Sequence, residues 1–249
     1  MNTTTKTHQH RALFAQKATS AAGNVLFLIL IAVALFAALS YAVTQSSRSS
    51  GDGGLDKDKA KLAASDLLQY AVSIEQAVNR MQVVGRVPEH GLDFSAGSNI
   101  KNTANTACTT NYCKVFHPDG GGAVARLTDE KYLDTTSPMY ISSPSNARMP
   151  EVRVVSVPQV GSEADDLILF IPSLKAEICY IINEKMGILP YGTTPPQDIY
   201  GDTDLYQGNL TAFPSVTGQI DPAPMAGKRS FCIGHTNTNT IFIHVLMAR

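Results

Sequence analysis

The first 51 residues of this 249-residue chain contain no aspartate and no glutamate, and the first carboxylate is that of Asp52. Four basic side chains stand in the same stretch, those of Lys6, Arg11, Lys17 and Arg48. The remaining residues carry 16 lysines and arginines against 21 aspartates and glutamates. A mildly acidic domain has no electrostatic attraction for a phosphate backbone, so we expect that no nucleic-acid partner is required.

The sequence also lacks the motifs of common catalytic sites. It has no G-x-S-x-G turn, no H-E-x-x-H motif and no dinucleotide-binding glycine pattern. The run 117–122 contains His117, Asp119 and three glycines, and we interpret it as a turn. His235 and His244 flank one predicted hairpin, across which they could approach each other, but we interpret the scattered histidines as surface or strand residues. We therefore predict that the protein is not an enzyme.

One long apolar run dominates the N-terminal part. It extends from Val25 to Val43 and is interrupted only by Ser40 and Tyr41. Its nineteen residues, at about 1.5 Å each, span about 28 Å, close to the hydrocarbon thickness of a bilayer. The positive-inside rule places the basic leader in the cytoplasm and the later part of the chain outside. We predict a single membrane-spanning helix with an extracytoplasmic C-terminal domain.

Three interpretations of this N-terminus are open. A cleaved secretory signal could end at the small residues of Ser40-Tyr41-Ala42, but its apolar stretch is usually about 7–15 residues long. An uncleaved anchor is compatible with every residue of the run. The third interpretation rests on Gly23, which stands directly before Asn24 and the apolar run and ends a leader that reads AQKATSAAG.

A basic leader that ends in glycine before an apolar helix resembles the N-terminus of type IV prepilins and pseudopilins. The resemblance implies cleavage between Gly23 and Asn24 by a prepilin peptidase, methylation of the new terminus, and insertion in the inner membrane. It also implies that the helix beginning Val25-Leu26-Phe27-Leu28 bundles with other pilin-like subunits. The family usually has Phe or Met first after the cut and Glu fifth, where this chain has Asn24 and Leu28, which favours a minor or atypical subunit.

Four cysteines follow the apolar run, and an even number outside the membrane favours two disulfides. Four cysteines allow three pairings, and the sequence alone does not choose among them. We prefer Cys108–Cys113, which closes a short loop, and Cys179–Cys232, which joins two regular elements distant in the sequence. The C-x4-C spacing and the absence of a second pair are unfavourable for zinc.

A second helix is predicted over residues 56–81. Apolar residues recur there in alternating steps of four and three, the spacing of one helix face; they are Ala60, Ala64, Leu67, Ala71, Ile74, Val78 and Met81. We expect the larger residues to face the core of the domain and the alanines at the start to admit a helix of a neighbouring subunit. Gly85 and Pro88 end the helix.

Strands and one short helix are predicted in the later part of the chain. Val152–Val157 is rich in β-branched residues, and Asp166–Pro172 is apolar on both faces, as in a central strand. The spacing of apolar residues from Leu174 to Lys185 predicts a helix, which Gly187 can cap. Residues 229–233 and 241–247 read as a C-terminal hairpin.

Weaker strand patterns stand at Val115-Phe116 and at Val124, which we predict as strand ends. The fold class that follows is α+β, with a transmembrane helix and an amphipathic helix packed on an antiparallel sheet, as in a pilin head. The predicted domains are a leader over residues 1–23 that the prepilin interpretation removes, the membrane helix over 24–45, a linker over 46–55 and the outer domain over 56–249.

The Gly- and Pro-rich segment 187–227 contains three closely spaced carboxylates, those of Asp198, Asp202 and Asp204. Oxygen ligands of this kind bind calcium, although the EF-hand pattern is absent, and a solvated acidic loop is the alternative. We predict no other cofactor. The function implied by the resemblance is that of a structural subunit of a type IV pilus or secretion pseudopilus. The alternative is a membrane-anchored outer binding module that does not assemble.

Overall fold

The computed structural model describes residues 22–48, 57–162, 164–197, 205–210, 223–235 and 239–249, and within the first helix it describes the side chains of residues 25–41. The chain divides into two compact units, residues 1–53 and residues 54–249. One helix, α1, lies in the first unit. The α+β domain forms the second.

Helix α1 extends over Ala22–Arg48 and has 27 residues. It includes the whole apolar run and continues three residues into the stretch that was predicted as a linker from residue 46. Among the residues that the structure describes, no helix is long and apolar enough to cross a membrane.

A four-stranded antiparallel sheet forms the centre of the second unit, with strand order β1-β2-β4-β3. Its strands are β1, Glu151–Val155; β2, Asp166–Ile171; β3, Ser230–His235; and β4, Asn239–Met247. The strands predicted at residues 152–157 and 166–172 and the C-terminal hairpin are confirmed. Every residue of β2 is buried, as expected for an interior strand without a polar face.

The predicted strand ends at Val115-Phe116 and Val124 are wrong. Residues 122–129 have no regular structure, and next to Val115 only Lys114 forms an isolated bridge, with Asp93. The turn between them is confirmed, since the backbone N–H of Asp119 donates to His117 Nδ1 at 3.1 Å. The β-branched residues here are too few to bury one face of a strand, which is what stabilises a strand in a sheet.

Helix α2, Lys57–Val83, carries the predicted apolar stripe, and all seven residues of that stripe are buried. The expectation that its alanines admit a neighbouring subunit is corrected, because Ala60 and Ala64 are both fully buried within the chain's own domain. Helix α5, Ala176–Lys185, packs against α2, and Lys185 Nζ donates to Ser65 Oγ at 2.8 Å. The alanines therefore allow close approach of an internal helix.

Two apolar clusters lie on the two faces of the sheet, because successive strand residues point to opposite sides. The first joins the sheet to α2 and α5 and includes Ile74, Leu169, Ile181 and Phe242. The second includes Ile168, Phe231, Ile243 and Met225. The region between α2 and β1 is mostly irregular and contains two short helices, α3, Pro138–Ser142, and α4, Pro144–Arg148.

Candidate functional site

The surface of α1 is the first candidate site. Every large apolar side chain described in α1 is at least 40 % exposed; these are Val25, Leu26, Phe27, Leu28, Ile29, Leu30, Ile31, Val33, Leu35, Phe36, Leu39 and Tyr41. Seven of them, Val25 to Ile31, occupy consecutive positions, and because these span about two turns they face all sides of the helix. A helix that is apolar all round needs an apolar environment, supplied by lipid or by other helices.

The predicted processing residues lie at the start of this helix. Gly23 and Asn24 both have helical backbone, and the side chain of Asn24 is outside the described residues. The four residues that follow, Val25 to Leu28, are each more than half exposed. The other described side chains of α1 do not cover these four residues.

Both disulfides are present, with the pairing that we preferred from the sequence. Cys108 and Cys113 are joined within the irregular region, with their Cα atoms 5.6 Å apart. Cys179 of α5 is joined to Cys232 of β3, with a Cα separation of 5.4 Å across 53 residues of sequence. The second bond fastens a helix of the outer layer to an edge strand of the sheet.

The predicted calcium ligands Asp198, Asp202 and Asp204 lie outside the described residues. Within the ranges that the structure does describe, no group of three or more histidine, cysteine, aspartate or glutamate side chains is placed to hold a metal ion.

A polar cluster that the sequence did not reveal connects α2 with the sheet. His244 Nδ1 lies 2.7 Å from Ser230 Oγ, and His244 Nε2 lies 2.9 Å from Glu75 Oε2. The other oxygen of Glu75 is 2.7 Å from Arg229 Nη2. The side chains of His244 and Glu75 are only 4 % and 16 % exposed, whereas that of Arg229 is 47 % exposed and lies at the rim of the cluster. The sequence could not reveal the contact between Glu75 and His244, because 169 residues separate them.

The charge of Glu75 is stabilised by its partners. The hydrogen bond with His244 holds the pKa of Glu75 below its ordinary value, with smaller contributions from the charges of His244 and Arg229, while burial opposes the shift. With a proton on Nε2, His244 donates to Glu75, and its Nδ1 shares a hydrogen bond with Ser230 Oγ, so both ring nitrogens have partners. We interpret the cluster as a buried link between helix and sheet.

The idea that His235 and His244 approach each other is wrong. The strand register pairs His235 with Asn239 at the turn of the hairpin and pairs His244 with Ser230 at its other end. The two histidines therefore lie at opposite ends of the hairpin and share no ligand position.

Both edges of the sheet are closed by asparagine side chains. Asn183 of α5 accepts from the backbone N–H of Cys232 at 2.8 Å and donates to its carbonyl at 3.0 Å. On the other edge, Asn102 accepts from Val152 N–H at 2.8 Å and donates to its carbonyl at 3.0 Å. Each amide thus occupies the backbone groups that an incoming strand would use.

An open groove lies beside the C-terminal half of α2. It consists of two adjoining clefts of about 390 Å³ and 670 Å³ that share Arg80, Gly122, Ala123 and Val124. The first is bordered by α2 through Ser73, Gln76 and Ala77, and the second by Ala96, Asn99, Phe116 and Pro118. Neither cleft is lined by the members of the buried cluster.

No protein-family model, curated protein or solved structure matches this chain. The candidate sites therefore stand on the geometry of their own residues.

Proposed function

We propose that the protein is a structural subunit, minor or atypical, of a type IV pilus or secretion pseudopilus. In this proposal, copies assemble through α1 with other pilin-like subunits, and the second unit is carried outside the inner membrane. The observation that carries it is the continuous apolar surface of α1, which directly follows a leader with basic residues and no carboxylate. We propose that the anchor is the full apolar run Val25–Val43. The structure describes the side chains of this run up to residue 41.

The second unit supports the same proposal in two ways. It is an α+β domain in which one long amphipathic helix packs on an antiparallel sheet, the architecture that the resemblance implies for a pilin head. Its four described cysteines are all in disulfides, which persist in oxidising compartments and are rare in the cytoplasm. Both the architecture and the disulfides are those expected of an anchored domain outside the cytoplasm.

A subunit of this kind has a diagnostic N-terminus. Cleavage after Gly23 leaves Asn24 as the first residue, whereas a simple membrane anchor keeps the leader. We would extract the protein from membranes and determine its N-terminus by intact mass and terminal sequencing. The expected result is a chain that begins at methylated Asn24 and lacks the first 23 residues of the sequence.

Two variants sharpen this experiment. Gly23→Val alters the residue before the proposed cut, and we expect the leader to be retained in that variant. Gly51→Val is the matched control, because it makes the same change beyond α1, and its leader should be removed normally. A wild-type chain that keeps the leader would instead indicate the anchored binding module. A chain beginning near Val43 would indicate a secreted domain.

A further inference from the structure

Three residues of the segment 123–127, beside the groove, have backbone groups that no other part of the described chain uses, whereas the N–H of Ala123 donates to the carbonyl of Val115 at 3.1 Å. The segment is irregular rather than part of the sheet, and its first three residues line the clefts that adjoin Arg80. Within the described residues, the backbone N–H and C=O groups of Val124, Ala125 and Leu127 form no hydrogen bond. Backbone groups of this kind are strong donors and acceptors, and in water they remain available to a partner.

This segment differs from the edges of the sheet in that respect. Asn102 and Asn183 occupy backbone groups at the two outer strands, and the backbone of Gly234 is further covered by Pro196, whose carbonyl accepts at 2.9 Å. A strand from another chain therefore finds those edges closed. In segment 123–127, the backbone groups of Val124, Ala125 and Leu127 stay open, and residues 123–125 line the groove.

The side chains around the groove suit an extended peptide. Gly122, Ala123 and Ala125 are small, so another backbone can come close to this segment. Val124 projects an apolar side chain that is 70 % exposed. An extended partner with alternating apolar side chains can cover Val124 while its backbone pairs with the segment.

Arg80 gives the groove a positive charge, which favours an acidic partner. Its guanidinium donates to the carbonyl of Gly121 and contacts that of Gly120 at 3.5 Å. In the described part of the chain it forms no ion pair, whereas Arg126 is 3.0 Å from Asp66. A guanidinium with donors still available favours a carboxylate, which it can bind through two parallel hydrogen bonds.

We propose that this groove is a binding site for an extended peptide strand of another protein chain, which pairs with the backbone of Ala125 and Leu127 and places a carboxylate on Arg80. The free backbone groups select a strand over a helix, because a helix has already used its own donors and acceptors. The guanidinium selects an acidic residue. This site does not depend on the assembly of α1.

The probe is a blocked synthetic peptide, acetyl-TVTVDVT-amide, added to the full-length protein in detergent micelles. Amide hydrogen exchange at Ala125 and Leu127 should slow when the peptide is present, because the N–H groups of alternate residues point to the same side of an extended segment. The same peptide with alternate N-methylated amides should give no protection, since it cannot form the backbone ladder. Equal protection by both peptides would overturn the strand mode, and no protection by either would overturn the site.

The carboxylate contact is tested by a double-variant cycle. Arg80→Gln should weaken binding of the peptide about tenfold, the loss expected for one charge-assisted hydrogen bond. Changing the peptide aspartate to asparagine should have the same effect, and the two changes together should cost no more than either alone. Arg86→Gln removes a positive charge six residues further along the chain, at a residue that lines neither cleft, and should leave affinity unchanged. Equal losses from Arg80→Gln and Arg86→Gln would contradict a specific carboxylate site. None of these readouts depends on cleavage of the leader.

Discussion

His244 Nε2 and Glu75 Oε2 lie 2.9 Å apart, and this contact joins the central strand β4 to the long helix α2. Arg229, directly before β3, and Ser230, the first residue of β3, complete the cluster. The cluster is placed where the helix crosses the sheet, so it fixes the position of α2 along its own axis as well as its distance from the strands. Apolar contacts alone specify such a position less strictly, because they are not directional.

Replacing Glu75 by glutamine should destabilise the domain by about 1–3 kcal/mol at pH 7, because it removes the charge that His244 and Arg229 contact. The pKa of Glu75 is lowered on folding. The contribution of Glu75 to the free energy of unfolding is therefore fully present above the pKa that this residue has in the unfolded chain. It is lost as the pH falls through the lower pKa that Glu75 has in the folded chain. The difference between wild type and Glu75→Gln should shrink below about pH 4.

Denaturant unfolding in detergent, followed by near-UV circular dichroism, gives both free energies at pH 7 and pH 3. Glu184→Gln is the matched control, since Glu184 is an exposed residue on α5. It should change the free energy of unfolding by less than about 0.5 kcal/mol. A deficit for Glu75→Gln that stays constant between the two pH values would contradict this account of the cluster.

Asn183 should matter more to stability than its surface counterparts do. Asn183→Ala leaves the backbone N–H and C=O of Cys232 without the partners that they have in the native fold, and the expected cost is about 1–3 kcal/mol. Opening this edge should also increase association between copies at high concentration. Asn99→Ala, at an exposed position, should alter neither property. Thermal unfolding and light scattering measure the two effects, and equal behaviour of the two variants would argue against edge closure.

The two disulfides should contribute unequally. In the chain-entropy model, the bond across 53 residues contributes about 4 kcal/mol, and the bond across five residues about 2 kcal/mol. We therefore expect Cys179→Ala with Cys232→Ala to lower the free energy of unfolding more than Cys108→Ala with Cys113→Ala. Denaturant titration of both double variants tests this order. The reverse order would mean that the link between α5 and β3 is not the main covalent constraint on the domain.

The alanine-rich start of α2 should tolerate no larger side chain. Ala64 is fully buried, so Ala64→Leu must displace neighbouring atoms and should cost about 1–3 kcal/mol. Leu62→Ala lies two residues away at a position that is 73 % exposed, and it should be nearly neutral. Unfolding free energies distinguish this internal packing from the alternative, in which a neighbouring subunit uses the alanines and Ala64→Leu impairs assembly without loss of stability.

Much of the fold was predictable because its signals are local. The stripe from Ala60 to Met81, the apolar run of β2 and the cap of α5 near Gly187 each follow from the side chains of one segment. The disulfide between Cys179 and Cys232 was also preferred from the placement of both residues on regular elements. Periodicity shows which face of an element is buried, and the structure confirms those faces.

The remaining features depend on contacts between distant segments. Apolar spacing could show that Ala64 lies on a buried face, but it could not show that the core of the same chain's domain covers it. The link between Glu75 and His244 and the edge closure by Asn183 likewise need the tertiary arrangement. Polar residues of this kind have no periodic signature, because their role is set by the backbone groups that folding brings to them.

The central claim, that copies assemble through α1, is tested most directly by photo-crosslinking in native membranes. A benzophenone amino acid would replace Phe36, which is 74 % exposed in α1, and Leu62, which is 73 % exposed in the second unit, would serve as the control position. We predict that the label at Phe36 forms covalent adducts with the N-terminal helices of other pilin-like subunits, identified by mass spectrometry. Adducts with lipid alone at Phe36 would contradict assembly through this helix.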